Sequence, residues 1–175
     1  TVAVNDNIGT VGTLSGAVSV TSGSTISLGG NVYTDNQSIA FNQPVTLTNT
    51  VQDNSGTGAG DVSFSSTIDG NYGLTADAGT GSITFSGDIG ATTGLSALSI
   101  AGTNVAFDDI GDADTVGVAG TTSVTDSGTT TYNGTTYKSN IQQFSAATSH
   151  SLVGGGSPIT LSLIHISEPT RPNCI

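Results

Sequence analysis

The sequence is short of nearly every residue that helices or catalysis draw on. Its 175 residues include one Glu, one Lys, one Arg, two His and one Cys, with no Met and no Trp. The long, straight side chains that favour helices are therefore scarce. The near-absence of base excludes the positive patch that phosphates require, so nucleic acid is not an expected partner. A net charge of −11 also opposes docking to an anionic membrane surface. No run approaches the roughly 18 apolar residues of a spanning helix, so no membrane insertion is expected in this segment. The chain does not start with Met and no signal peptide opens it. Residue 1 reads as an internal cut, which leaves secretion open. Cys174 has no partner in the chain, so an exported fold must be held by packing and hydrogen bonds alone.

What the chain does contain points to strands. It has 52 Ser and Thr and 25 Gly, and its charged fraction is only 9%. Disordered chains combine low hydrophobicity with dense charge and few β-branched residues. Here Val, Ile and Thr are abundant, and they suit a pleated, half-buried surface. An all-β fold is expected.

Residues 161–175 break this pattern. The string Leu161-Ser-Leu-Ile-His-Ile-Ser-Glu-Pro-Thr-Arg171 holds the only Glu, the only Arg and one of the two His. It resembles a translated sequencing adaptor of the transposase type, a contaminant of metagenomic assemblies. The domain reading is a repeat region over 1–160 and a non-native tail over 161–175. Glu168, Arg171, His165 and Cys174 are accordingly given no functional role.

Repetition is the strongest signal. An aliphatic residue, then Phe or Leu two positions on, then an aliphatic four further, recurs as Ile26, Leu28, Val32 and as Val45, Leu47, Val51. The clearest copies are Val62, Phe64, Ile68 and Ile83, Phe85, Ile89, offset by 21 residues, and Leu74 and Leu95 keep that offset. Val105, Phe107, Ile110 is a shortened copy, which requires a bulge or a displaced corner. Ile39, Phe41, Val45 also fits and overlaps the next copy. Even offsets put the apolar residues on one face of a strand. Asp69-Gly70, Gly79-Thr-Gly81, Gly90 and the stretch from Asp53 to Gly60 supply corners.

A period near 21 is too short for a propeller blade of roughly 40 residues. It suits one coil of a single-stranded parallel β-helix, a solenoid in which Phe64, Phe85 and Phe107 would form one interior ladder. Roughly seven coils would make a rod on the order of 35 Å long. Repeats are clearest over 25–110 and less regular over 116–160. Thr129–Lys138 reads as a hairpin, because Asn133-Gly134 favours a type I′ turn. That hairpin keeps an antiparallel β-sandwich as the alternative fold.

Three stretches carry a family resemblance: Tyr33 to Val51, Gly58 to Gly70, and Leu74 to Gly90. They resemble the repeats of filamentous-haemagglutinin-like bacterial surface adhesins, and the likeness covers about residues 25–110. The resemblance implies a right-handed parallel β-helix, export to the bacterial cell surface, and adhesion or biofilm roles. It brings no catalytic residues. A long surface of Ser, Thr and Asn hydroxyls and amides would suit glycans and host or cell-surface proteins through many weak contacts. Neighbouring repeats of the same parent chain are the other expected partners.

Candidate sites are few. Asp108, Asp109, Asp112 and Asp114 form the densest acidic cluster and have the oxygen ligands calcium takes. Their order matches neither the EF-hand loop nor the Gly-Gly-x-Gly-x-Asp β-roll, and a solvated corner is the leading reading. His150 is expected in an exposed loop beside Gly154-Gly-Gly156, and it carries no triad argument, because a Ser-His-Asp triad is defined by geometry and so many Ser and Asp make a paper triad trivial. Gly56-Thr-Gly-Ala-Gly60 lacks the Lys and the following helix of a phosphate loop. No enzyme activity is expected. A carbohydrate-active β-helix of the pectate-lyase type would need clustered basic and acidic groups, and Lys138 is the only Lys or Arg before the tail. An ice-binding face would need a regular Thr array, whereas Thr46, Thr48, Thr67 and Thr84 form no strict ladder.

Overall fold

The computed structural model describes residues 1–21, 23–145, 149–152 and 160–162, with side chains as far as residue 140. Strand β1 (Val2–Val4) comes first, followed by turns of three short strands each. These are β2 (Val18–Val20), β3 (Ile26–Leu28) and β4 (Val32–Tyr33), then β5 (Ile39–Phe41), β6 (Val45–Leu47) and β7 (Val51–Asn54). The next turn is β8 (Val62–Phe64), β9 (Ile68–Asp69) and β10 (Gly73–Asp77). Beyond it the middle strand shrinks to one bridging residue. Ile89 lies between β11 (Ile83–Phe85) and β12 (Ala97–Gly102), and Ile110 between β13 (Val105–Phe107) and β14 (Val118–Asp126). Strands β15 (Thr129–Tyr132), β16 (Thr136–Ser145), β17 (Ser149–Leu152) and β18 (Thr160–Ser162) follow.

Every strand pair among the described residues is parallel, and each joins one turn to the next. Three walls result, in the orders β1-β3-β6-β9, β18-β16-β14-β12-β10-β7-β4 and β17-β15-β13-β11-β8-β5-β2. Single parallel bridges carry the first wall onward through Ile68, Ile89, Ile110 and Tyr137. This is an all-β solenoid of about six turns with about 23 residues per turn, as between Ile39 and Val62. Paired residues lie as near as Ile26 and Val45 and as far apart as Ile110 and Tyr137 in sequence. The antiparallel sandwich does not occur among the described residues.

The expected hairpin over Thr129–Lys138 is wrong. Strand β15 pairs with β13 and β17, whereas β16 pairs with β14 and β18. Neither Asn133 nor Gly134 has the positive φ that a type I′ turn demands. Gly134 is used for space instead, since a Cβ there would collide with the Asp109 carboxylate of the turn before. The dipeptide turns a corner between two walls. His150 is likewise not in a loop, because it lies in β17 opposite Thr130. Leu161 and Ser162 fall within β18, opposite Tyr137 and Lys138, and the rest of the suspected tail lies outside the described residues.

The core explains the overlapping repeat. Buried aliphatics lead successive walls six positions apart: Ile39, Val45, Val51, then Val62, Ile68, Leu74, then Ile83, Ile89, Leu95. The overlapping copies are therefore consecutive sides of one turn. The shortened copy is absorbed at its corner: Ile110 remains buried and bridges both Ile89 and Tyr137. At the first wall, Ile26, Val45, Ile68, Ile89 and Ile110 form one inward file. At another, Phe41, Phe64, Phe85 and Phe107 stack with ring centroids 4.9, 5.3 and 5.3 Å apart, and Tyr132 extends the ladder at 5.6 Å. Tyr137 closes it edge-on.

Phe85 packs between two parallel rings, so truncating it removes both stacks and leaves a void. Phe85→Ala should cost about 3–5 kcal/mol. The adjacent, outward-facing Thr84→Val should change stability by no more than about 0.5 kcal/mol. Urea unfolding followed by circular dichroism checks both.

Candidate functional site

The acidic cluster lies in the corner between β13 and β14, and its members have separate local tasks. Asp109 Oδ1 accepts hydrogen bonds from the backbone N–H groups of Thr135 and Thr136, at 2.5 and 2.8 Å. Asp112 Oδ1 accepts from the N–H groups of Asp114 and Thr115 at 2.8 and 2.6 Å, closing a local loop. Those two bonds, with Lys138 nearby, hold the Asp112 carboxyl below its ordinary range. Lys138 itself donates to the Ala113 carbonyl at 2.7 Å. Asp108 is pushed up by partial burial and then by repulsion from Asp109. Asp88 is raised by partial burial and, in smaller measure, by the negative charges of Asp109, Asp108, Asp69 and Asp112. Carboxylates from successive turns thus line one edge of the rod. Among the described residues, no three His, Cys, Asp or Glu side chains are grouped to hold a metal ion.

Asp109 belongs to a device that the sequence reading missed. Side-chain oxygens of one turn accept backbone N–H groups of the next, well beyond hairpin range. Asn7 takes the N–H of Asn31 at 2.9 Å, and Asn31 takes that of Gln52 at 2.7 Å. Asp61 takes Ser82, and Asp69 takes both Thr92 and Thr93. Asn104 takes Thr129 at 3.2 Å. Asn36 reaches the Gly58 N–H from a left-handed backbone (φ 59°), which Asn tolerates better than most residues. Corners free backbone donors that no strand ladder satisfies, and buried or half-buried donors need partners. Short Asn and Asp side chains supply them one turn away. The signal was present in the sequence as Asn and Asp recurring near the Gly-rich corners.

The remaining candidates do not assemble. Gly56-Thr-Gly-Ala-Gly60 is a corner between β7 and β8, with Ser55 Oγ donating to the Gly60 carbonyl. Thr46 lies in β6 and Thr84 in β11, strands of different walls, so the four Thr considered for an ice-binding array share no single face. The seven-stranded wall from β2 to β17 instead presents an outward file of Ser19, Ala40, Ser63, Thr84, Ala106 and Thr131. All six are short and uncharged. A shallow groove lies along it, lined by Ser82, Thr84, Asn104, Ala106, Thr129 and Thr131. No known family model, curated protein or solved structure matches the chain.

If Asp109 is a corner staple, Asp109→Ala should lower stability by about 1.5–3 kcal/mol, the range for hydrogen bonds to a charged group. The loss should be the same in excess calcium and in chelator. A melting temperature of the unsubstituted chain that rises with calcium, but not in Asp109→Ala, would assign the corner to a metal instead.

Proposed function

We propose that this chain is a structural and adhesive segment of a large secreted bacterial surface protein, without catalysis of its own. The observation that carries this reading is the outward file from Ser19 to Thr131 on a seven-stranded parallel wall. A solenoid presents the same kind of surface at every turn, and here that surface offers hydroxyls and small methyl-bearing side chains. Such a wall suits glycans or extended cell-surface proteins, held through many weak contacts and not through one deep pocket. Avidity then does what single-site affinity does not. The resemblance of residues 25–110 to filamentous-haemagglutinin-like repeats supports an extracellular location, with neighbouring repeats of a parent chain stacked on the ends.

The polar content fits a scaffold better than a reactive centre. The carboxylates with the clearest local partners, Asp61, Asp69, Asp109 and Asp112, each accept backbone N–H groups. Lys138, the one Lys or Arg before residue 161, is held on the Ala113 carbonyl.

Beads coated with the full chain should be retained on surfaces bearing host-type glycans, whereas the free monomer should bind at least 100-fold more weakly. Glu in place of both Ser63 and Thr84 should abolish retention without unfolding the wall. Equal retention of that double variant would contradict the assigned surface. Release of reducing or unsaturated sugar ends from polysaccharide by the purified chain would replace the reading with a carbohydrate-active one.

A further inference from the structure

Among the described residues, one carboxylate is fully buried with neither of its oxygens partnered. Asp53, the third residue of β7, points inward in the file Val32, Asp53, Ala76, Ile100, Val124, in which every other member is apolar and buried. Its exposure is 0%, and neither carboxyl oxygen has a hydrogen-bond partner. The backbone of Val32 favours the carboxyl's charged form, but by less than burial opposes it. The two neighbouring buried hydroxyls are already committed: Thr34 donates to the Gln37 carbonyl and Ser55 to that of Gly60.

The surrounding elements offer no compensating charge. Strands β3, β5, β6 and β8 contain no titratable residue. Those on the remaining neighbours are Tyr33 of β4, Asp35 just after it, Asp69 of β9 and Asp77 of β10, none of them in the buried core. Asp77 is tied to Asn54 and to the Gly79 N–H. The other buried carboxylate, Asp126, has Thr130 Oγ1 as a donor at 2.8 Å. Asp53 has no equivalent.

We propose that Asp53 makes this an acid-tightened fold: as a neutral acid it lets the first three turns pack fully, and its ionisation at higher pH loosens them. Burial holds its pKa well above the usual carboxylate value of 3.8, so the folded chain binds this proton more tightly than the unfolded chain. The resulting stability is complete below the unfolded pKa and is lost as pH rises through the folded one. Asp88 and Asp108 are shifted in the same direction at the surface, so the test must separate their effect from that of Asp53.

Thermal unfolding of the full chain, followed by circular dichroism at pH 4.5 and pH 8, makes that separation. The unsubstituted protein should melt roughly 5 °C or more lower at pH 8. In Asp53→Val, which continues the file of Val32, this difference should shrink by more than half, and melting at pH 8 should exceed that of the unsubstituted protein. Asp53→Asn, a neutral isostere, should shrink the difference similarly, while Asp88→Asn should leave most of it. An undiminished pH difference in both Asp53 variants would overturn the proposal. So would failure of both to fold at pH 8, because the ionisable group would then be required.

Discussion

The structure depends on one constraint: an inward side chain in any turn can escape water only against the turns above and below. A single coil of about 23 residues encloses no core of its own. Its apolar residues must therefore repeat at the same places in the next coil. Phe41, Phe64, Phe85 and Phe107 show the result, with near-parallel rings about one strand spacing apart. The Ile file through Ile68, Ile89 and Ile110 is the aliphatic counterpart on another wall. Parallel backbone ladders follow from the same requirement, since like positions can stack only if all turns run in one sense.

Corners set the second requirement. Walls satisfy their backbone donors through the ladders, but the bends between them do not. Asn and Asp side chains answer this by reaching one turn onward, as Asn31 does to Gln52 and Asp109 to Thr135 and Thr136. The strong negative charge thus arises partly from structural acceptors. Where Asp is used in neighbouring turns, as at Asp69, Asp88 and Asp109, mutual repulsion is the consequence. Two carboxyls depart from this economy by facing inward, Asp126 with a Thr130 donor and Asp53 with none.

Much of the fold was legible because stacking writes itself into sequence offsets. The 21-residue step from Phe64 to Phe85 is a direct neighbour pair in space, and Phe107 takes its expected place in the ladder. The six-residue rhythm of the sides was hidden, since it appeared as copies overlapping at Val45. Asn133-Gly134 misled because a short-range turn preference was outweighed by pairing with adjacent turns. The candidate site was less legible. The acidic run from Asp108 to Asp114 was visible, but not that Asp109 and Asp112 use their oxygens on backbone donors. An acceptor staple has no motif of its own, because its partner lies a full turn away at a variable distance in sequence.

Stacking in register makes separation along the rod grow by one strand spacing per turn, about 4.8 Å. Pulsed electron spin resonance tests this most directly, on chains carrying Cys174→Ser and spin labels at Ser19 paired with Thr84, Ala106 or Thr131. These positions are three, four and five steps apart on one outward file. Parallel stacking requires distances that rise steadily across the series, to about 24 Å between backbones at Thr131. Distances that fail to rise in that order would contradict the stacked solenoid itself.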